Sequence, residues 1–304
     1  MPIGFCAAIS TKGRRMQGRD RGLVMLVPVL WGLNFPATAL MLTHYPPLLA
    51  GALRFALLAV PAMLFVPFPQ VRMRWLLGTG FGLGVMQFAF LYAGMAAGMP
   101  AGLASLALQA SAPFTILLAT AFLGERLTPR RALGVGIAVA GLALIGASQA
   151  RAAALLPVAL TLMGALGWAI GNICSRLARA PKPLHLTMWM SIVPPVPLFL
   201  MALSAEGPRI GPALSGALTT QAIPATLGLL YIVIFATVIG YGIWNTLMSR
   251  YPASEVAPWS MLVPVVGIAS SWALLDETPH PAELVAGVLV IGGVILASRA
   301  PSRA

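Results

Sequence analysis

Charged residues are scarce in this sequence. They make up 9% of the 304 residues, whereas 59% are hydrophobic and the mean hydropathy is +0.90; soluble domains carry about 25% charged residues. A chain so apolar cannot cover its own surface in water, and it has no polar stretch long enough for a soluble domain. We therefore predict an integral membrane protein that lies almost entirely in the bilayer. Its apolar runs are continuous and do not alternate with polar positions, which indicates helices and excludes a closed β-barrel.

Residues that bind metals or carry out catalysis are equally few. The two cysteines, Cys6 and Cys174, are far apart in unlike segments, so they indicate neither a disulfide framework nor a metal site. The three histidines, His44, His185 and His280, fall at predicted helix ends. The sequence has no nucleophile–base set, no nucleotide motif and no pair of carboxylates within an apolar segment. We expect no cofactor, no metal and no enzymatic activity.

Acidic residues are outnumbered by basic ones, seven to nineteen, which gives a net charge of +12. In a soluble protein this excess would suggest nucleic acid as a partner. In a membrane protein the basic residues are better interpreted as anchors in cytoplasmic loops. The expected partners are therefore a small-molecule substrate and the lipid bilayer, with no nucleic acid, and the protein is expected to be a monomer.

Ten apolar segments are long enough to cross a bilayer, which takes about 20 residues of helix. Arg19, Asp20 and Arg21 separate the first segment from the basic N-terminus. We interpret this segment as an uncleaved first helix and not as a signal peptide. The prediction is an all-α membrane protein with ten transmembrane helices at approximately 22–42, 48–68, 75–97, 100–124, 131–149, 154–177, 184–204, 223–248, 254–275 and 281–298.

The distribution of Lys and Arg between the connections predicts the orientation. The two terminal segments and the loops after helices 2, 4, 6 and 8 hold sixteen of these residues, whereas the other loops hold only Arg151 and Arg209. The remaining basic residue, Arg54, falls inside helix 2. Because loops rich in Lys and Arg stay in the cytoplasm, both termini are expected to be cytoplasmic.

A four-residue pattern occurs twice at one fixed offset of 152 residues: Pro100, Glu125, Pro129 and Gly141 reappear as Pro252, Glu277, Pro281 and Gly293. The first copy has a basic turn with Arg126, Arg130 and Arg131, and the second an acidic turn with Asp276, Glu277 and Glu283. Five helices per half reverse the second half, which explains the change of charge and is typical of transporters. We expect a cytoplasmic segment at 1–21, repeats at 22–149 and 154–298, and a cytoplasmic tail at 299–304.

Large aromatic and amide side chains in the middle of apolar helices are the candidates for substrate binding, because such groups need partners or a wet cavity. Trp31 and Asn34 share one face of helix 1, and Trp168 and Asn172 share one face of helix 6. These two faces either line a central pathway or pair across a helix interface. The full candidate set is Trp31, Asn34, Phe88, Tyr92, Ser105, Gln109, Trp168, Asn172, Tyr241, Trp244, Asn245 and Trp259.

Tyr92 in helix 3 and Trp244 in helix 8 are related by the same offset of 152 residues. They are predicted to lie toward the outer and the cytoplasmic side, as two gates of one cavity or as members of an interfacial aromatic belt. Two charged residues are also ambiguous. Arg54 either reaches outward to water, pairs structurally or binds a substrate carboxylate. Glu255 is either interfacial or a site for a proton or a substrate ammonium.

Two further groups of residues predict local structure. Pro194, Pro195 and Pro197 predict a kink in helix 7. The glycine-rich stretches Gly134-Val-Gly136 and Gly292-Gly293 lie in apolar helices and are expected to be close-packing surfaces.

The sequence resembles the EamA family of the drug/metabolite transporter superfamily over roughly residues 22–298. The motifs that carry the resemblance are Trp31-Gly-Leu-Asn34, Arg54-Phe55, Pro113 with Leu123-Gly124-Glu125-Arg126, and Pro264 with Glu277. Within the superfamily it is most similar to the bacterial aromatic amino-acid exporter branch, which implies a place in the bacterial inner membrane. The resemblance implies a cavity surrounded by helices 1, 3, 4, 6, 8 and 9, with helices 5 and 10 at the periphery. Asp276 departs from the pattern, because the first repeat has Gly124 there.

We therefore expect a secondary transporter that exports aromatic and other neutral amino acids, or related metabolites, by alternating access. The alternative within transport is efflux of drugs or other small metabolites. The alternative outside transport is a membrane-embedded enzyme that modifies lipids, which would need clustered His, Asp or Glu at a membrane face.

Overall fold

The computed structural model describes residues 18–125, 127–151, 155–251 and 253–298, and over these residues the chain is helical without strands. Arg126, Pro252, residues 1–17 with Cys6 and the tail 299–304 lie outside the described residues. The ten helices are α1 (Gly18–Leu42), α2 (Pro47–Phe65), α3 (Met73–Ala96), α4 (Ala101–Leu123), α5 (Pro129–Arg151), α6 (Leu155–Ala178), α7 (Pro183–Ser215), α8 (Ile223–Arg250), α9 (Pro258–Leu275, after a single turn at Ala253–Val256) and α10 (Pro281–Ser298). Of these described helices, nine are long and apolar enough to span a membrane and α10 is slightly shorter, which confirms the ten-helix prediction.

Helix α7 differs from its predicted bounds. It continues to Ser215 instead of ending near residue 204, so the long connection expected at 205–222 is mostly helix. Its interruption is where the prolines predict it: a short 3₁₀ segment, Met190–Ile192, ends the first part, and a new helix starts at Pro195. α7 has 33 residues against 19 in α2. This extra length explains a change in the offset between equivalent positions of the two halves. Before α2 and α7 the offset is 137 residues, as between Trp31 and Trp168, and after them it is 152 residues.

The internal repeat extends to the irregular parts of the backbone. π-helical segments occur in α3 at Phe81–Met86 and in α8 at Ile232–Ile239. 3₁₀ segments occur in α4 at Leu108–Ala110 and at the start of α9 over Ala257–Leu262. Each pair overlaps when one copy is shifted by 152 positions. The offset therefore relates two folded units and is not a chance match of residue types.

The packing of the helices follows the same symmetry. α3 packs on α6 as α8 packs on α1, and α4 packs on α6 as α9 packs on α1. α5 and α10 pack chiefly on each other. Because each half has five antiparallel helices, the second half starts at the opposite end of the bundle and runs inverted. The two ends are called here the Gly18 end, where α1 begins, and the Leu42 end, where α1 finishes.

Two of the four predicted close-packing glycines lie in the α5–α10 contact. A Cβ at Gly134 would meet the Ala297 amide nitrogen at 2.5 Å, and one at Gly293 would meet the Ala138 amide nitrogen at 2.5 Å. The prediction is wrong for Gly136 and Gly292, since no atom lies within 4 Å of a Cβ built there. The backbones of α5 and α10 approach each other along one glycine face only.

Candidate functional site

The cavity follows from the way in which α4 and α9 diverge. The first half of α4 packs on the second half of α9 at the Leu42 end, where residues 101–108 are all buried. Toward the Gly18 end the second half of α4 packs on α6, and the 3₁₀ segment at the start of α9 packs on α1. There Glu255 and Pro258 are exposed and Trp259 is half-buried. The space between the two halves is therefore closed at the Leu42 end and opens toward the Gly18 end.

Three of the predicted aromatic residues meet in this space. The Trp31 ring lies 4.9 Å from that of Tyr241 and 5.3 Å from that of Trp244. The Trp31 indole nitrogen donates a hydrogen bond to the Ala236 carbonyl oxygen at 2.8 Å, which is an acceptor in the π-helical segment of α8. All three rings are half-buried. Together they form an aromatic wall, contributed by α1 and α8, and each ring keeps part of its surface accessible.

The amides are distributed around the same space. Asn172 donates to the Thr115 hydroxyl at 3.3 Å, which joins α6 to α4. Gln109 lies 3.9 Å from the sulfur of Met261, its equivalent at the 152-residue offset, so this contact marks the axis that relates the halves. Asn34 has a buried Oδ1 without a hydrogen-bond partner. In a helical bundle such an acceptor is a place where a donor from water or solute can bind.

Asn245 is the fourth amide of the candidate set. Its side chain donates to the carbonyl oxygen of Tyr241 at 2.8 Å. This bond lies within α8 and leaves the Asn245 oxygen and the second N–H of the amide for other partners. The residue follows the aromatic wall toward the Gly18 end.

Phe88 and Tyr92 lie apart from the aromatic wall, in a buried cluster around Arg54. Tyr92 is fully buried, and its hydroxyl accepts a hydrogen bond from Arg54 at 2.8 Å. A fully buried tyrosine does not belong to a lipid-facing belt, so that alternative is wrong for Tyr92. Arg54 is only 6% exposed, and the expectation that it reaches outward to water is also wrong. The cluster lies on the Leu42 side of the cavity, and a gate at Tyr92 stays a prediction.

Three other predicted site residues are structural neighbours of the cavity. Ser105 is buried where α4 crosses α9, and a Cβ at Gly267 would lie 2.5 Å from its hydroxyl. Trp259 packs against the small buried cluster of Val24, Leu247, Tyr251 and Val256 near the Gly18 end. Trp168 packs on the main core from α6. The position of Ser105 is therefore better explained by the close contact between α4 and α9 than by contact with a solute.

Contacts between the halves at the Leu42 end include two carboxylates whose role the sequence did not indicate. Glu277 accepts hydrogen bonds from the amides of Ala101 and Gly102, at 2.9 and 3.0 Å, and so caps α4. Glu206 on α7 accepts from the amides of Leu48 and Leu49 at 2.9 and 3.0 Å and caps α2. A carboxylate at a helix N-terminus is favoured by both the free amides and the helix dipole. These caps hold the closed end together.

A different set of contacts joins the halves at the Gly18 end. The Tyr251 hydroxyl donates to Asp20 at 2.6 Å. Glu125, the equivalent of Glu277, forms ion pairs with Arg176 and Arg131. A cleft of about 390 Å³ lies beside Asp20, between α1 and α8. Within the described residues no group of three His, Cys, Asp or Glu side chains is arranged to hold a metal ion.

Comparison with known proteins gives the family. The model of the EamA-like transporter family matches residues 22–147 and again residues 155–299. The chain belongs to the EamA-like transporter family. It is therefore a multi-pass membrane protein of a class that transports small molecules and is not a class of enzymes.

Relatives match this EamA-like chain almost from end to end. A Salmonella typhimurium protein named as a probable amino-acid metabolite efflux pump is 42% identical over 92% of this chain and 95% of its own length. A probable terminal-alkyne amino-acid exporter of Streptantibioticus cattleyicolor is 27% identical over 91% of this chain and 92% of its own length. A solved crystal structure with 18% identity has a TM-score of 0.60 and covers 92% of this chain and 97% of that chain, which shows a shared fold.

Proposed function

We propose that this protein exports amino acids, aromatic and other neutral ones, or closely related metabolites, from the bacterial cytoplasm by alternating access. The observation that carries the proposal is the half-buried wall of Trp31, Tyr241 and Trp244 in a space open at one end only. An aromatic wall beside amide groups suits a neutral amphiphilic solute. It does not suit phosphorylated solutes, which need several cations.

Export requires that the open end faces the cytoplasm. The bias of sixteen basic residues against two supports a cytoplasmic Gly18 end, and under this proposal the structure corresponds to an inward-open state. We propose repeats at 22–149 and 154–298 between cytoplasmic segments at 1–21 and 299–304. The two repeats would rock about the cavity so that the Leu42 end opens while the Gly18 end closes. The protein would work as a monomer and without a cofactor.

The names of the relatives support the substrate class, since two of them refer to amino acids. The unpaired Oδ1 of Asn34 also supports it, because a substrate ammonium is a strong hydrogen-bond donor that this acceptor can bind. Both arguments point to solutes that combine a polar backbone with an apolar side chain.

Transport assays in proteoliposomes test the proposal. The purified protein is reconstituted, loaded with unlabelled phenylalanine and given a panel of labelled amino acids with and without a pH gradient. We expect exchange of phenylalanine and other neutral amino acids. Exchange of cationic dyes without exchange of any amino acid would contradict the proposal and favour drug efflux.

A further inference from the structure

Arg54 is a buried cation surrounded by neutral groups. Its Nη1 donates to the Tyr92 hydroxyl at 2.8 Å and its Nη2 to the Thr237 hydroxyl at 3.2 Å. Its guanidinium carbon lies 4.0 Å from the centre of the Phe88 ring. Over residues 18–125, 127–151, 155–251 and 253–298, the ion pairs involve other residues and no carboxylate pairs with Arg54. Burial of an uncompensated charge is costly, which makes Arg54 a functional candidate.

One donor of the Arg54 guanidinium is left without a hydrogen-bond partner. Arg54 Nε is buried and has no hydrogen-bond partner. Nε and an adjacent Nη form the fork that binds the two oxygens of a carboxylate. Tyr92 and Thr237 are neutral acceptors that an incoming carboxylate can displace. A purely structural link between α2, α3 and α8 would not need a permanent charge, because a neutral amide can donate to two hydroxyls.

The position of Arg54 also fits a solute. It lies on α2 in the first half, and its partner Thr237 lies on α8 in the second half. Tyr241 follows Thr237 by about one turn of α8 and belongs to the aromatic wall with Trp31. A carboxylate at Arg54 therefore leaves an attached side chain near that wall, where both halves contact one solute.

We propose that Arg54 binds the carboxylate of the transported solute and so restricts this transporter to carboxylate-bearing substrates. The proposal rests on the proposed function and deepens it, since it states which group of the amino acid is recognised. Under this proposal, amides, esters and simple amines of the same size and shape are not substrates.

Ligand pairs that differ in one group test the proposal on the wild-type protein. Tryptophan fluorescence of the purified protein is followed on titration with phenylalanine, 3-phenylpropionate and phenylalaninamide, and the same compounds compete for exchange in proteoliposomes. We expect phenylalanine and 3-phenylpropionate to bind and the amide to bind at least about thirtyfold more weakly. Equal binding of phenylalanine and its amide, or no binding of either carboxylate, would overturn the proposal.

Substitutions of Arg54 test whether the preference for carboxylates over the amide comes from this residue. Arg54→Gln is expected to weaken binding of both carboxylates by about thirtyfold or more and to remove the preference over the amide. Arg54→Lys keeps the charge without the fork and is expected to retain part of the preference. The matched control is Arg74→Gln, an exposed arginine on α3 whose guanidinium lies over Trp75; it should leave the preference unchanged. A folded Arg54→Gln that keeps the preference would overturn the proposal.

The two assays separate this inference from the proposed function. Carboxylate binding without amino-acid exchange would contradict the proposed export and support the role of Arg54. Exchange of phenylalanine and phenylalaninamide at equal rates would support transport and overturn the role of Arg54. Because the ligand pairs are compared on the wild-type protein, the test holds even if Arg54→Gln does not fold.

Discussion

Trp31 shows how single residues position the cavity wall. Its indole is fixed by a hydrogen bond to the Ala236 carbonyl and by the absence of a side chain at Gly240. A Cβ at Gly240 would lie 2.7 Å from the indole nitrogen, whereas a Cβ at Gly242 would meet no atom within 4 Å. The two glycines are two positions apart on α8, but Gly240 faces the Trp31 indole and Gly242 faces open space.

We predict that Gly240→Ala displaces the Trp31 indole and weakens substrate binding. Substrate binding must then return the indole to its place, which costs about the 1 kcal/mol of its hydrogen bond to Ala236, so KM for exchange should rise about fivefold. Gly242→Ala is the matched control and should leave KM unchanged. Initial rates of phenylalanine exchange in proteoliposomes measure both. Equal KM values for the two variants would show that the indole position does not matter.

Single residues also show how far the sequence alone predicts the candidate site. The residue types of Trp31, Tyr241 and Trp244 predict an aromatic site, because large rings in mid-helix are informative by themselves. Their mutual contact does not follow from the sequence, since α1 and α8 are far apart along the chain. Arg54 is visible as a charge in an apolar run, but its burial against Tyr92 depends on side-chain geometry that no spacing rule gives.

Among the helices, the α5–α10 pair gives the clearest case of backbone packing. Gly134 and Gly293 let two backbones approach, and the nearest atoms at Gly134 are the Ala297 amide nitrogen and the Gly293 carbonyl oxygen. Backbone atoms of a packed helix cannot move aside as a flexible side chain can. An added methyl group must therefore separate the two helices.

We predict that Gly134→Ala lowers the free energy of unfolding by about 1–3 kcal/mol, the usual cost of overpacking. Gly136→Ala is the matched control in the same helix. It meets no atom within 4 Å, and alanine is about 0.5–1 kcal/mol better than glycine in a helix, so it should be neutral or slightly stabilising. Thermal denaturation in detergent measures both. A Gly134→Ala protein as stable as the wild type would contradict the close approach.

Most helices were predictable because a bilayer requires apolar segments of a narrow length range. The extension of α7 beyond residue 204 was not, because Glu206, Pro208 and Pro212 are typical of a loop. The structure keeps them in a helix, where Glu206 has amide partners on α2 and Pro208 and Pro212 lie within the helix without ending it. The left-handed residue after α9 is Asp276, with φ 55°, where Gly124 has φ 66° after α4. The repeat predicts that conformation, and the residue type does not.

The whole molecule is asymmetric although its two halves are related. Glu277 caps α4 at the closed end, whereas its equivalent, Glu125, pairs with Arg176 and Arg131 at the open end. Alternating access between inverted repeats exchanges the roles of the halves. In the opposite state Glu125 is therefore expected to hold the start of α9 as Glu277 now holds the start of α4.

We predict that Glu277→Gln shifts the equilibrium toward opening at the Leu42 end. Loss of a carboxylate from a helix N-terminus costs about 1 kcal/mol, so the open population should rise about fivefold. The reporter is Ser105→Cys in a chain whose Cys6 and Cys174 are replaced by alanine. Ser105 is 2% exposed between α4 and α9. An impermeant maleimide added on the side of the Leu42 end, the outer side in the proposed orientation, should therefore label it slowly, and about fivefold faster with Glu277→Gln. Labelling at the same rate with and without Glu277→Gln would contradict a role of the Glu277 cap in holding the Leu42 end closed.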